Sequence, residues 1–220
     1  METVERVNTS RGELVLRRDA EHYELISNGV FLMDTRAGDS ERLLVRAAIE
    51  SAAPGTRLLI AGLGVGYSLA EAVRCPALAE IVVVEIEPSV VAWHATHLAP
   101  YSGGALDDPR VRVVTADLGD WLATTEDLFD AICLDVDNGP DWTVFGENAA
   151  LYGDAGTAVL RAHLRPGGVL AVWSAAASDD YAKRLETTIG PVRTLLTEVE
   201  RGEPDVVYLA RVDDVGFAAF

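Results

Sequence analysis

The chain has 220 residues, with 18 Lys plus Arg against 35 Asp plus Glu, so its formal net charge is −17, and its length fits one domain or a domain with a small appendage. With 49% hydrophobic and 24% charged residues it can bury a core, which excludes disorder over most of its length, and its acidity excludes nucleic acid and anionic membrane surfaces, which are bound through Lys and Arg. Two cysteines, Cys75 and Cys133, do not make a disulfide framework, the polar stretch Met1 to Gly12 does not read as a signal peptide, and the longest apolar stretch, Gly167 to Ala177, is shorter than the ~20 residues of a membrane span; a soluble, cytoplasmic protein is expected.

In chain order, Glu13 to Arg18, Tyr23 to Ser27 and Val30 to Asp34 read as short strands, the last two joined by an Asn28-Gly29 hairpin turn. A small β-hairpin appendage over residues 1–38 is therefore expected, followed by one larger domain over 39–220. Asp39 and Ser40 are N-cap residue types, and Leu43, Leu44, Ala47, Ala48 and Ala52 recur at helical spacing up to Pro54-Gly55. Beyond Gly55 strand and helix alternate. Apolar strands are predicted at Arg57–Ala61, Ile81–Ile86, Val111–Thr115, Phe129–Val136 and Val169–Ser174. Helices are predicted at Tyr67–Cys75, Pro88–Leu98, Gly119–Thr124, Ala155–Leu164 and Ser178–Ile189. Two last apolar runs, Val192–Val199 and Val206–Val212, have no long helix between them and are expected to pair antiparallel. This grammar specifies an α/β fold with a mostly parallel sheet covered by helices on both faces.

The strand Leu58 to Ala61 runs into Gly62-Leu63-Gly64-Val65-Gly66 and then a helix. Alternate glycines let the backbone turn sharply and let a ligand approach closely, and the helix start adds positive potential, so a nucleotide-type ligand is expected. The dinucleotide fingerprint fails by one residue, because its third glycine would fall on Tyr67. Glu85 ends the next strand, 19 residues after Gly66, where an acid accepts from a ribose diol. Strand alternation leaves Glu87 as the other candidate for that role.

The succession LLIAGLGVG, VVVEIEP, VVTADLGDWL, FDAICLDVD and LRPGGVLAVWS, preceded by ISNGVFLMDTRAGDSERLLVR, resembles the spermidine synthases of the Rossmann-like class I S-adenosylmethionine-dependent methyltransferase fold, from about Glu13 to Val212. The resemblance implies a seven-stranded sheet and, as co-substrate, S-adenosylmethionine or its decarboxylated form, with no metal. It implies that Gly62, Gly64 and Gly66 form the loop under the donor, that Glu85 holds the ribose and Asp117 the adenine amine, and that Asp135 is the catalytic carboxylate.

Three departures from that family stand out. Its loop Asp, which meets the donor amine, falls on Val65. The residues after the catalytic Asp become Val136-Asp137-Asn138-Gly139-Pro140, and Ser-Glu-Arg-Leu-Leu replaces the amine-channel segment around Glu41. Val65 predicts that intact S-adenosylmethionine binds at least as tightly as the decarboxylated form, unless another carboxylate such as Asp137 takes the amine. A methyltransferase is thus the alternative activity, and a non-catalytic nucleoside-binding or interaction module the alternative from another class.

A sulfonium donor leaves the protein to orient a nucleophile and remove its proton. From Val113 to Leu160 there are ten acidic residues and no Lys, Arg or His. That run borders the mouth of the sheet and implies a small cationic amine as acceptor, with Asp135 and Asp137 as the catalytic pair. Trp142 and Tyr152 are candidates for an apolar wall or for ordinary core. His94 and His97 share a helical face but have no third partner for a metal, Cys133 reads as a core residue, and a homodimer is left open.

Overall fold

A computed structural model describes residues 1–199 and 202–213. Two sheets are present. The first is a four-stranded antiparallel sheet in the order β1-β2-β3-β4, formed by β1 (Glu2–Thr9), β2 (Gly12–Asp19), β3 (His22–Ser27) and β4 (Val30–Asp34). The expected hairpin is thus a full sheet, and its first strand went unread because β1 is a polar, half-exposed edge strand with little apolar alternation. Asn28, in the left-handed region at φ 50°, makes the turn before Gly29, and its side-chain amide also donates to the Arg11 carbonyl at 2.9 Å, bracing the β1–β2 turn.

The second sheet has seven strands in the order β10-β11-β9-β8-β5-β6-β7. These are β5 (Thr56–Ala61), β6 (Leu78–Glu85), β7 (Val111–Thr115), β8 (Phe129–Leu134), β9 (Leu164–Ser174), β10 (Val192–Thr197) and β11 (Asp205–Arg211). The first five are parallel, and β11 and β10 complete the sheet antiparallel, as the missing helix between the last two apolar runs requires. The helices are α1 (Asp39–Ala48), α2 (Tyr67–Ala72), α3 (Pro88–Trp93), α4 (Ala99–Ser102), α5 (Leu118–Leu122), α6 (Ala149–Tyr152), α7 (Asp154–Ala162) and α8 (Asp179–Thr188). The predicted helix Pro88–Leu98 stops at Trp93, because the Leu98 amide bonds back to the Trp93 carbonyl at 2.8 Å and the chain turns into α4. No helix among the described residues is long and apolar enough to cross a membrane.

Both faces of the large sheet are buried. Leu58, Ile60, Ile81, Val83 and Cys133 pack with α1, α2 and α3 on one side, while Leu59, Val82, Ile132, Leu134 and Tyr152 pack with α5 and α8 on the other. Continuous apolar strands follow from this two-sided burial.

Register determines where the polar residues emerge. Ala61 lies opposite both Val84 and Leu134. The residues just past these three, Gly62, Glu85 and Asp135, therefore leave the C-terminal edge of the sheet side by side. Two bonds fix this alignment: the Gly62 amide to the Val84 carbonyl at 2.8 Å and the Asp135 amide to the Ala61 carbonyl at 2.9 Å.

Candidate active site

A cavity of about 470 Å³ opens over that edge, within the range of ~300–1,000 Å³ common for small-molecule sites. The large sheet's C-terminal loops form its floor, and Leu14, Leu25, Phe31, Leu32 and Met33 of the small sheet form its opposite wall. Three contacts hold the two layers together here. The Thr9 hydroxyl donates to Glu87 at 3.2 Å, the Tyr67 hydroxyl donates to the Thr35 carbonyl at 2.8 Å, and the Arg11 guanidinium lies 3.7 Å from the centre of the Phe145 ring.

Gly62, Gly64 and Gly66 have φ of 94°, 50° and 93°, in the region where a Cβ is strained. The surrounding protein also crowds one. A Cβ on Gly62 would lie 2.0 Å from the Asp135 carbonyl oxygen, one on Gly64 2.5 Å from Met33 Sδ, and one on Gly66 2.7 Å from His94 Cε1. Packing is thus a sufficient reason for Gly62, against backbone, and for Gly66, against the His94 ring and Ser102, whereas Gly64 meets only the flexible end of Met33 and rests on its positive φ; Gly62 and Gly64 also face the cavity.

Glu85 is buried at 7% exposure. One carboxylate oxygen accepts from the Leu63 amide and the other from the Glu87 amide, both at 2.8 Å. Burial raises its pKa against the opposing pull of those amides. A carboxylate has about four lone-pair positions, so two remain for a diol. Glu87 is anchored by Thr9 at the rim. Asp117 caps α5 by accepting from the Asp120 amide at 3.0 Å, and it lines the cavity. Glu85 and Asp117 both line the cavity, together with their chain neighbours Ile86 and Leu118.

Asp135 and Asp137 differ sharply. Asp137 accepts four hydrogen bonds from its own loop: the amides of Asn138 at 2.8 Å, Val144 at 2.7 Å and Phe145 at 3.3 Å, and the Asn148 side chain at 2.7 Å. Its lone pairs are fully used in holding the 138–148 loop. Asp135 has one weak side-chain contact, the Ser68 hydroxyl at 3.3 Å. Burial and the nearby Glu41 charge push its pKa up to about 8, with Ser68 pulling the other way.

Two further carboxylates join Asp135 that the sequence reading did not single out. Glu41 comes from the first turn of α1 and Asp205 from the start of β11, and both line the cavity. The Ser40 hydroxyl lies 2.7 Å from Asp205 and 3.0 Å from Glu41. One hydroxyl proton serves one of them at a time, so the other carboxyl is left to carry a proton or meet a cation. Burial raises both pKa values. Glu41 falls in the segment that the resemblance aligns with the family's amine channel, but nothing local marks Asp205, which is 164 positions away and joins Glu41 only through the antiparallel return of β11. In all, eight acidic side chains line the cavity against a single basic one, Arg11, among the described residues.

The remaining candidates separate cleanly. Trp142 lines the cavity and is 60% exposed, whereas Tyr152 is core, packed edge-on against Tyr181 at 5.7 Å. Val65 is fully buried in the core and contributes nothing to the cavity wall. Cys133 is likewise buried. His97 contacts Glu5 at 3.1 Å and His94 contacts the Gly64 carbonyl at 3.0 Å, so the two histidines diverge. Among the described residues no group of His, Cys, Asp or Glu has the makings of a metal site.

Known proteins share this fold. The family model for the "Spermine/spermidine synthase domain" matches residues 40–178, more than half of the chain. A polyamine aminopropyltransferase of Mycobacterium tuberculosis is 33% identical over 164 residues, which cover 73% of this chain and 30% of that protein. The chain thus spans about a third of the length of such curated relatives. In fold, a spermidine synthase solved with a transition-state analogue superposes with a TM-score of 0.80 at 15% identity, covering 97% of this chain and 75% of that one. Human methyltransferase-like protein 13 superposes at 0.59 with 22% identity and 84% coverage of both chains. Taken with the glycine loop, the acidic strand ends and the seven-stranded sheet, the match over residues 40–178 shows that the chain belongs to the spermine/spermidine synthase family.

Proposed function

We propose that this protein transfers an aminopropyl group from decarboxylated S-adenosylmethionine to a small cationic amine. The observation that carries this reading is the cavity's charge: eight carboxylates and one guanidinium favour a donor with two positive charges and no carboxylate. This reading runs opposite to the expectation drawn from Val65. The family's loop acid is absent, but the acidic lining as a whole, with Arg11 its single basic side chain among the described residues, disfavours the carboxylate of intact S-adenosylmethionine.

The residues present fit such a donor. Glu85 keeps two lone-pair positions for the ribose, one oxygen of Asp117 makes no hydrogen bond among the described residues, and the cavity volume suits a nucleoside. A sulfonium supplies its own leaving group, so the protein's tasks are orientation and proton removal. Asp135 is the group for the second task. Held near neutral pKa by its surroundings, it takes the proton of the acceptor ammonium, and the freed nitrogen lone pair forms the new C–N bond. The C–S bond breaks with its electrons going to sulfur, which leaves a neutral thioether. Glu41 and Asp205 balance the remaining positive charge, and Asp137 holds the loop that closes this half of the site.

Calorimetry tests the donor. Decarboxylated S-adenosylmethionine is expected to bind at least ~10-fold more tightly than the intact form, the scale of one lost unfavourable charge contact. Tighter binding of intact S-adenosylmethionine would favour the methyltransferase reading that Val65 suggests, and no binding of either would favour a non-catalytic module.

A further inference from the structure

His94 follows α3 and is 6% exposed. It lies outside the cavity wall, yet it touches the glycine loop twice. Its Nε2 is 3.0 Å from the Gly64 carbonyl oxygen, and its Cε1 occupies the space that a Cβ on Gly66 would need. Its other ring nitrogen, Nδ1, is buried and has no hydrogen-bond partner among the described residues.

These facts determine the ring's state. A carbonyl only accepts, so Nε2 carries the proton. A second proton on Nδ1 would place a charge in a buried site with no acceptor, so the ring is neutral. Burial lowers its pKa accordingly. A buried nitrogen left unpaired on one side asks for a compensating role on the other. That role is visible in the loop. The Leu63 amide is held by Glu85 from β6, and the carbonyl of the next residue, Gly64, is held by His94 from the end of α3. The Leu63-Gly64 segment is thus gripped from two elements, and because the glycine at its end can adopt many backbone conformations, these two bonds select the one observed, with Gly64 at φ 50°.

We propose that His94 is a positioning residue for the donor site: its neutral ring, protonated on Nε2, holds the Gly64 carbonyl and so maintains the loop curve on which a nucleoside is bound. The use of that curve by a nucleoside rests on the functional reading above; the grip on the loop does not.

The test uses three variants and methylthioadenosine as the probe. His94→Gln offers an amide N–H at similar reach. His94→Leu fills the space without a donor, and His94→Asn is polar but too short. The Gln variant is expected to bind methylthioadenosine within ~3-fold of wild type, while Leu and Asn lose ~10-fold or more at similar melting temperatures. Equal affinity in wild type and the Leu and Asn variants would overturn the proposal, as would equal loss in all three. Nitrogen-15 spectra of the wild-type ring provide an arm that needs no variant, with the Nε2–H tautomer expected and the Nδ1–H tautomer contradicting. Should wild type fail to bind methylthioadenosine, the functional reading falls. His94 is then judged by the backbone shifts of Gly62 to Gly66, which move in Leu and Asn but not in Gln if the grip is real.

Discussion

The proposed donor half and the proposed acceptor half of the cavity are built in different ways. In the donor half, three successive strand ends supply the residues: Gly62 to Gly66 turns the chain after β5, Glu85 ends β6 with Glu87 just beyond it, and Asp117 follows β7 and caps α5. In the acceptor half, Glu41, Asp135 and Asp205 come from the first turn of α1, the residue just past the central strand β8 and the start of β11, the last described strand, while Asp137 accepts from its own loop. The comparison teaches that a nucleotide-type subsite is a local property of a strand-loop-helix turn, whereas the surface that chooses the acceptor is a property of topology.

The largest effect that sharpens this contrast is expected at the seam between the halves. Asp135→Asn should lower turnover by ~100-fold or more, the scale of losing a general base, while affinity for methylthioadenosine stays within a few-fold of wild type. Steady-state kinetics with calorimetry checks it, and an unchanged rate would move the chemistry to another carboxylate. The same variant carries a pH signature. The pKa of Asp135 in the folded protein is about 8, above its value of 3.8 when unfolded, so the folded state binds the extra proton across that interval. Its stability contribution is therefore present at low pH and lost as pH rises from about 4 toward about 8. Melting temperatures of wild type should fall across that window relative to those of Asp135→Asn, and parallel curves would refute the assignment.

Next in size is Glu85→Ala, expected to cost ~1–3 kcal/mol of nucleoside affinity because charged hydrogen bonds are lost in a buried place. If Glu87→Ala weakens binding instead, the ribose contact belongs to the rim. Asp137→Ala should act on the other half alone. It removes four acceptor contacts, so hydrogen exchange should quicken in residues 138–148 and the acceptor KM should rise ~10-fold with donor affinity held. A matched loss of donor affinity would show that the halves are not separable. The smallest effect is expected from Trp142→Ala. At 60% exposure the residue adds little stability, so only the acceptor KM should change, by ~2- to 5-fold.

The limits of sequence reading follow the same division. Strand alternation and helix-stop signals located the sheet and the order of its elements, because buried parallel strands announce themselves as apolar runs. The glycine loop and Glu85 were legible for the same local reason. β1 was not, because a half-exposed edge strand carries charged residues that read as coil. Asp205 was hidden because it joins the site only through the antiparallel return of β11 beside β9. Asp137 was read as a partner of Asp135, and spacing gives no sign that four loop donors would claim it. Val65 points toward a donor with a carboxylate when considered alone, but its side chain is in the core, and the cavity's acidic side chains come from other elements.

The central claim is that the cavity's carboxylates select a cationic donor and a cationic acceptor for aminopropyl transfer. Identifying the nucleoside product by mass spectrometry tests it most directly, with both donors supplied together and a panel of diamines and polyamines as acceptors. Methylthioadenosine, together with an acceptor enlarged by one aminopropyl group, is the predicted result. S-adenosylhomocysteine with a methylated acceptor would contradict it.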